Sequence, residues 1–254
     1  MKKLLFVFIL LLVMCSVSYG ATSYTAATCS QANVQTAVTS CRNDAQCTQV
    51  NIPSGSCTWS SPISVSKQIT ISGQGASNTI ISSSGQGVTL FSVGSGVRIT
   101  GIGFRMYGNS FGIIASGQGW RIDHCTFSRA DSASIPGAYG VHAKGSSYSS
   151  RPAGLIDNCT FTDCRTGSGG VSSFNAQHQI WAADAGLGTP DAVYIEDCII
   201  ERSVKGNVID SGYAGKYVMR FNTIYQNVEA HATQPDAQLS RGTRSWEIYN
   251  NTFP

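Results

Sequence analysis

Two histidines, a lysine and a tryptophan recur at matching places in five short segments: FGIIAS (111–116), YGVHAK (139–144), HQIWAAD (178–184), GNVIDSG (206–212) and VEAHAT (228–233). If Ile113, Val141, Ile180, Val208 and Ala230 face a core, strand alternation turns Ile114, His142, Trp181, Ile209 and His231 outward. Lys144, Gln179, Asn207, Ser211 and Glu229 then flank that column. His142, His231 or Lys144 is suited to general-base work. Trp181 offers a flat face for a sugar ring, with Gln179, Asn207 and Glu229 as further substrate-binding positions. The competing expectation is that long loops at 129–138 and 145–153 cover this face and bury Trp181 in ordinary packing.

A second cluster, GWRIDHCTF (119–127), sets Trp120, Asp123 and His124 side by side. Its neighbours dilute the signal, because VRITGIGF, GLIDNCTF, VYIEDCII, VMRFNTIY and WEIYNNTF fit the same template. Each has an apolar residue, two turn-like residues, then Cys, Asn or Ile, one more residue, and an apolar one. The leading apolar positions are Ile99, Ile122, Ile156, Ile195, Met219 and Ile248, separated by 23 to 39 residues. A unit recurring at that interval signals a solenoid. Asp123, Asp157 and Glu196 share one template position and are expected to stack. Three like charges about 5 Å apart repel. Either a cation such as calcium sits among them, or they are solvated turn residues, with Arg220 at the next rung pairing with Glu196. The sequons at Asn158 and Asn250 fall on the same turns and read as structural asparagines.

The elements that position these residues are mostly short strands. From about Val50 onward, runs of three to six alternating residues are separated by turns such as Pro-Ser-Gly and Gly-Gln-Gly. Before them, SQANVQTAVTSC (30–41) carries Val34, Ala37, Val38 and Cys41 on one helical face, with Ser30 as N-cap. A helix there covers the open end of a solenoid core. The fold class expected is all-β: a single-domain right-handed parallel β-helix with a short N-terminal capping helix. The boundaries are a signal peptide over 1–20, a cap over 21–60, and the β-helix over 61–254. The rung ending at Pro254 would ordinarily feed another strand, so the expectation is a solenoid continuing beyond it.

Charged residues are 12% of the 254, the net charge is +3, and no basic run occurs, which disfavours nucleic acid as a partner. The start combines a Lys pair, an apolar run from Leu4 to Met14, and small residues at Ser18 and Gly20. This is the pattern of a secretory signal cleaved near Gly20, too short for a permanent anchor. Met14 argues against lipidation of Cys15. The mature protein is therefore expected to be secreted or periplasmic, without a membrane partner. In an oxidising compartment Cys29, Cys41, Cys47 and Cys57 are suited to two disulfides, with three connectivities open. A zinc site would favour a CxxC pair, and none occurs. Cys125, Cys159 and Cys198 share one template position and should stack inward.

The segments CSQANVQTAV, VNIPSGSCTW, ISVSKQITISGQG and the IDNCTF-like rungs resemble right-handed β-helix proteins of the pectate-lyase-like superfamily, over nearly all of residues 29–253. The stretch AVYIEDC…GKYVMRFNTI…RGTRSWEIYNNTF is similar to a branch of bacterial secreted β-helix proteins. The resemblance implies a carbohydrate-active protein, such as a lyase cleaving an acidic polysaccharide by β-elimination, with calcium held by acidic residues. A non-catalytic adhesin or glycan-binding surface protein is the alternative, since one fold hosts both. WRIDHC is similar to the Trp-Ile-Asp-His motif of pectate lyases, with Arg121 interposed. The paired Asp and Gly-His-Gly of polygalacturonases do not occur. Asp210, Arg220, His231 and Arg241 lie in the stretch similar to the bacterial branch, Arg220 as a substrate-binding position and the other three as catalytic ones. Asp210 is expected near a groove mouth, and Arg241 in RGTR as a fork for a carboxylate.

Overall fold

Each lap of the backbone gives one short strand to each of three parallel sheets. In the computed structural model the described residues are 20–131, 138–144, 152–169, 188–201, 207–212, 215–225, 229–231 and 245–254; at 165–169, 207, 210–212 and 229–231 the description is of the backbone. Sheet A has nine strands, from Thr22–Thr25 to Ser245–Tyr249; sheets B and C have seven each, starting at Gly55–Trp59 and Ile63–Val65. The order within every sheet follows the laps, and all pairings are parallel. This is the expected parallel β-solenoid.

The template sets the register. Ile71, Ile99, Ile122, Ile156, Ile195, Met219 and Ile248 are successive Cα partners along sheet A. All but the last are essentially inaccessible to solvent. On sheet B the inward positions carry Phe104, Phe127 and Phe161, whose rings stack at 5.0 and 4.9 Å. Each lap alone has an apolar edge and no partner for it, so burial comes only from the laps above and below.

The corner between sheets A and B explains the WRIDHC cluster. Gly101, His124, Asn158, Asp197, Phe221 and Asn250 occupy one turn position, all with φ between 52° and 68°. Glycine, Asn and Asp enter that left-handed region at low cost, so the position accepts turn formers. His124 is one of them. The next position is the stack of Cys125, Cys159 and Cys198, each thiol reaching the carbonyl two residues back at 3.1 to 3.3 Å. The free thiols are buried as expected, and burial together with hydrogen bonds from its two neighbours pushes the Cys159 thiol well up. At Asn222 and Asn251 amides replace thiols: Asn222 Oδ1 accepts from the Cys198 amide, and Asn251 Oδ1 from the Asn222 amide, both at 3.0 Å.

The cap is built as its sequence pattern demands. The helix Gln31–Asn43 starts at Ser30, whose hydroxyl accepts from the Asn33 amide, and buries Val34, Ala37, Val38 and Cys41. Of the three possible connectivities the nested one is formed, Cys29–Cys57 and Cys41–Cys47. A strand ahead of the helix, Thr22–Thr25, extends sheet A against Cys47–Asn51 and is an addition to the expected elements.

Sheet C departs from expectation in two places. The strand between Tyr139–Lys144 and Asn207–Gly212 is Arg165–Gly169, not the segment 178–184. The register there pairs Thr166 with Ile209 and Gly167 with Asp210, so Ile209 rather than Val208 continues the Val141 column. Both Val208 and Ile209 are buried, and Ile209 is not an outward residue.

Opening the Cys29–Cys57 bridge, which spans 28 residues, should destabilise the protein by about 3.5 kcal/mol on loop-closure grounds, against about 2 for Cys41–Cys47, which spans six. Denaturant unfolding of the two double-Ala variants measures both costs. A larger loss for the short loop would contradict the entropic account.

Candidate functional site

Two lateral faces carry the chemistry. On sheet C the Cα register runs Ile114, His142, Gly167, Asp210, His231. His142 lies between the fully buried Val141 and Ala143, half-buried, its ring stacked 5.0 Å from Tyr139 and 5.5 Å from Phe111. Asp210 and His231 are adjacent Cα partners, and Asn207 pairs with Glu229 in the same sheet. Lys144 aligns with Gly169 and then Gly212. The sequence pattern placed Ile209 in the His142 column, whereas the register brings Asp210 there. Trp181, Gln179 and Arg241 lie outside the described residues, as do most of the two loops expected to cover this face.

Sheet A presents the better-formed site. A groove of about 960 Å³ runs along it, floored by Trp120, Arg121, Gly154, Leu155 and Tyr194, and walled by Pro190, Asp191, Glu196, Arg220 and Tyr249. Strand alternation sends Arg121, Leu155 and Tyr194 outward in one column, and Asp123, Asp157, Glu196, Arg220 and Tyr249 in the next. Trp120 belongs to the inward set and is buried, with its ring lying over Gly154, where a Cβ would come within 2.3 Å of it. Only glycine at 154 admits that ring. Among the described residues the buried Trp120 indole N–H has no hydrogen-bond partner.

The stacked carboxylates are held by guanidinium forks. Arg98 donates to both oxygens of Asp123 at 3.1 and 2.5 Å, and Arg121 to both of Asp157 at 2.9 and 2.7 Å. Arg220 bonds Glu196 at 2.7 Å and the Tyr249 hydroxyl at 3.0 Å, with its guanidinium 5.2 Å from the Tyr194 ring centre. The three carboxylates do stack, but each faces an arginine of an adjacent rung, the preceding one for Asp123 and Asp157 and the next for Glu196. Paired in this way, Asp123 and Asp157 direct both oxygens at guanidinium N–H groups, and among the described residues no group of three or more acidic, His or Cys side chains converges as a cation site. The expected pairing of Arg220 with Glu196 is present, whereas Asp123 and Asp157 are buried and not solvated turn residues.

Burial alone would raise the Asp123 carboxyl. Hydrogen bonds from Arg98 and Thr100 and the charges of Arg98 and Arg121 outweigh it and hold the group below its ordinary value. The bond to Asp123 pushes the Arg98 guanidinium up, and the bond to Asp157 that of Arg121. Arg220 is raised chiefly by its bond to Tyr249, and then by Glu196.

Beside the groove, Phe221 is the odd member of the left-handed turn position. It is 50% exposed, has φ 61°, sits 5.7 Å under the Arg220 guanidinium, and meets Tyr249 edge-on at 6.5 Å. A bulky side chain there bears backbone strain of about 1 kcal/mol without the compensation of full burial. Sequence reasoning passed over Phe221, Tyr194 and Tyr249; the one available signal was an aromatic residue where other rungs have turn formers.

The fold and this face define a parallel β-solenoid with an aromatic and guanidinium-lined lateral groove. The chain belongs to the right-handed β-helix family, whose model, described as a right handed beta helix region, matches residues 111–253. No curated protein and no solved structure gave a significant match to it. The two disulfides are compatible with an extracellular protein, and among the described residues no helix is long and apolar enough to cross a membrane. The expected signal peptide lies, but for Gly20, outside the described residues.

Because the Asp123 value is lowered on folding, its contribution is intact above about pH 4, the unfolded value, and disappears as pH falls through the folded one. Asp123→Asn should cost about 2 kcal/mol at neutral pH and flatten the acid limb of stability against pH. Urea unfolding across that range tests it; an acid limb as steep as the wild type's would contradict the assignment.

Proposed function

We propose that this protein is an exported glycan-binding β-helix that holds a sugar chain along the sheet A groove. The family's fold is shared by carbohydrate-active enzymes and adhesins, so the reading rests on the site and not on the architecture. The observation that carries it is the groove's lining: Tyr194 and Tyr249 offer rigid aromatic surface, Leu155 a flat apolar floor, and Arg220 and Glu196 planar polar groups at the edge. Sugars combine apolar ring faces with equatorial hydroxyls and suit such a surface.

A second reading, a lyase of the pectate-lyase-like kind cleaving an acidic glycan, is supported by sheet C. There the register sets Asp210 beside His231 in the row of His142. Cα partners one rung apart are about 4.8 Å from each other, near enough in the backbone for a carboxylate position to orient a base at the other.

One set of measurements separates the two. Calorimetric titration with an oligosaccharide panel should give saturable binding that falls at least ten-fold in Tyr194→Ala. Phe221→Asn should weaken binding while raising the unfolding midpoint, by relieving the turn. No ultraviolet-absorbing unsaturated product should form from uronate polymers. Product that disappears in His231→Ala would replace the binding reading with the lyase reading.

A further inference from the structure

We infer that the sheet A groove selects an uncharged glycan and disfavours uronate-rich chains, an inference that rests on the glycan-binding reading above. The argument is the charge pairing. The charged side chains lining the groove among the described residues are Arg121, Asp191, Glu196 and Arg220. Each is already in an ion pair: Arg121 with Asp157, Asp191 with Lys216 at 3.1 Å, and Glu196 with Arg220. Behind them Arg98 neutralises Asp123. Four cations thus face four carboxylates. A fifth carboxylate, Glu247, holds the Gly188 amide at the rim and tips the balance towards negative.

An anionic chain entering such a groove loses hydration around each carboxylate, and meets only cations whose charge a neighbouring carboxylate already offsets. Arg220, the groove cation beside the aromatic wall among the described residues, already faces the Glu196 carboxylate and donates to the Tyr249 hydroxyl. A neutral sugar meets no such cost. Its ring faces lie against Tyr194 and Leu155, and its hydroxyls donate to remaining lone pairs of the paired carboxylates and accept from remaining guanidinium N–H groups. Paired planar charges also keep the polar edge rigid, so little side-chain freedom is lost on binding.

The test uses the full-length chain and two probes of equal length, a neutral glucan hexasaccharide and an oligogalacturonate. The neutral probe should bind at least ten-fold more tightly, with an affinity unchanged from low to high salt. Glu196→Gln keeps the shape but releases Arg220 from its counter-charge, and should tighten oligogalacturonate binding about ten-fold. Tighter binding of the oligogalacturonate by the wild type, weakening with salt, overturns this inference and leaves the glycan reading standing. Binding of neither this pair nor any other neutral or acidic oligomer in the panel overturns both.

Discussion

Adjacent laps of this chain are joined by parallel backbone pairing, and that vertical contact is what every other feature requires. A lap has no core of its own. Its isoleucine, its phenylalanine and its small residue at the corner become buried only when the next lap returns to the same place. The corner turns make the return possible. A left-handed residue followed by a thiol or amide reverses direction within two positions and satisfies the carbonyls that the turn would strand. The exchange of Cys for Asn along the stack shows that either a thiol or an amide can donate to the carbonyl there, and Ile102, buried at the same position, shows that an apolar side chain also fits.

The same contact organises the outer surface. Side chains that leave sheet A are brought within reach of the lap above or below, which is how Arg98 reaches Asp123 and Arg121 reaches Asp157. Forks of this kind are partly exposed and contribute modestly to stability. Their larger effect is on the groove, where they fix planar edges and cancel charge. The strained Phe221 lies on that same face, where strain is tolerated if a ligand uses it.

What was legible in the sequence follows from which forces leave a pattern in one dimension. The interior column was legible because an inward residue is apolar in every lap and the turn behind it is stereotyped. The capping helix was legible from Val34, Ala37, Val38 and Cys41 and from the Ser30 cap. Arg165–Gly169 was not, because RTGSG has no apolar alternation; neighbouring laps impose its strand conformation, and a segment with better alternation, 178–184, was taken for it. The one-residue error at Ile209 has a related cause, since Val208 and Ile209 are both apolar and both buried, and only pairing chooses between them. The groove was hidden because Tyr194, Arg220 and Tyr249 come from three laps and share no motif. The pairing of Glu196 with Arg220 was foreseen because both fall on the template, whereas the forks from Arg98 and Arg121 run diagonally between columns.

The most direct measurement is the separation of two outward positions of sheet B that are distant in sequence and close in the stack. Ser82 and Glu201 lie four laps apart along one column, through Arg105, Ser128 and Thr162. Spin labels at Ser82 and Glu201 should give a narrow distance distribution centred at about 20 Å, four strand spacings. A broad distribution, or one centred beyond about 40 Å, twice those four spacings, would mean that the laps do not return to the same place, and would contradict the account.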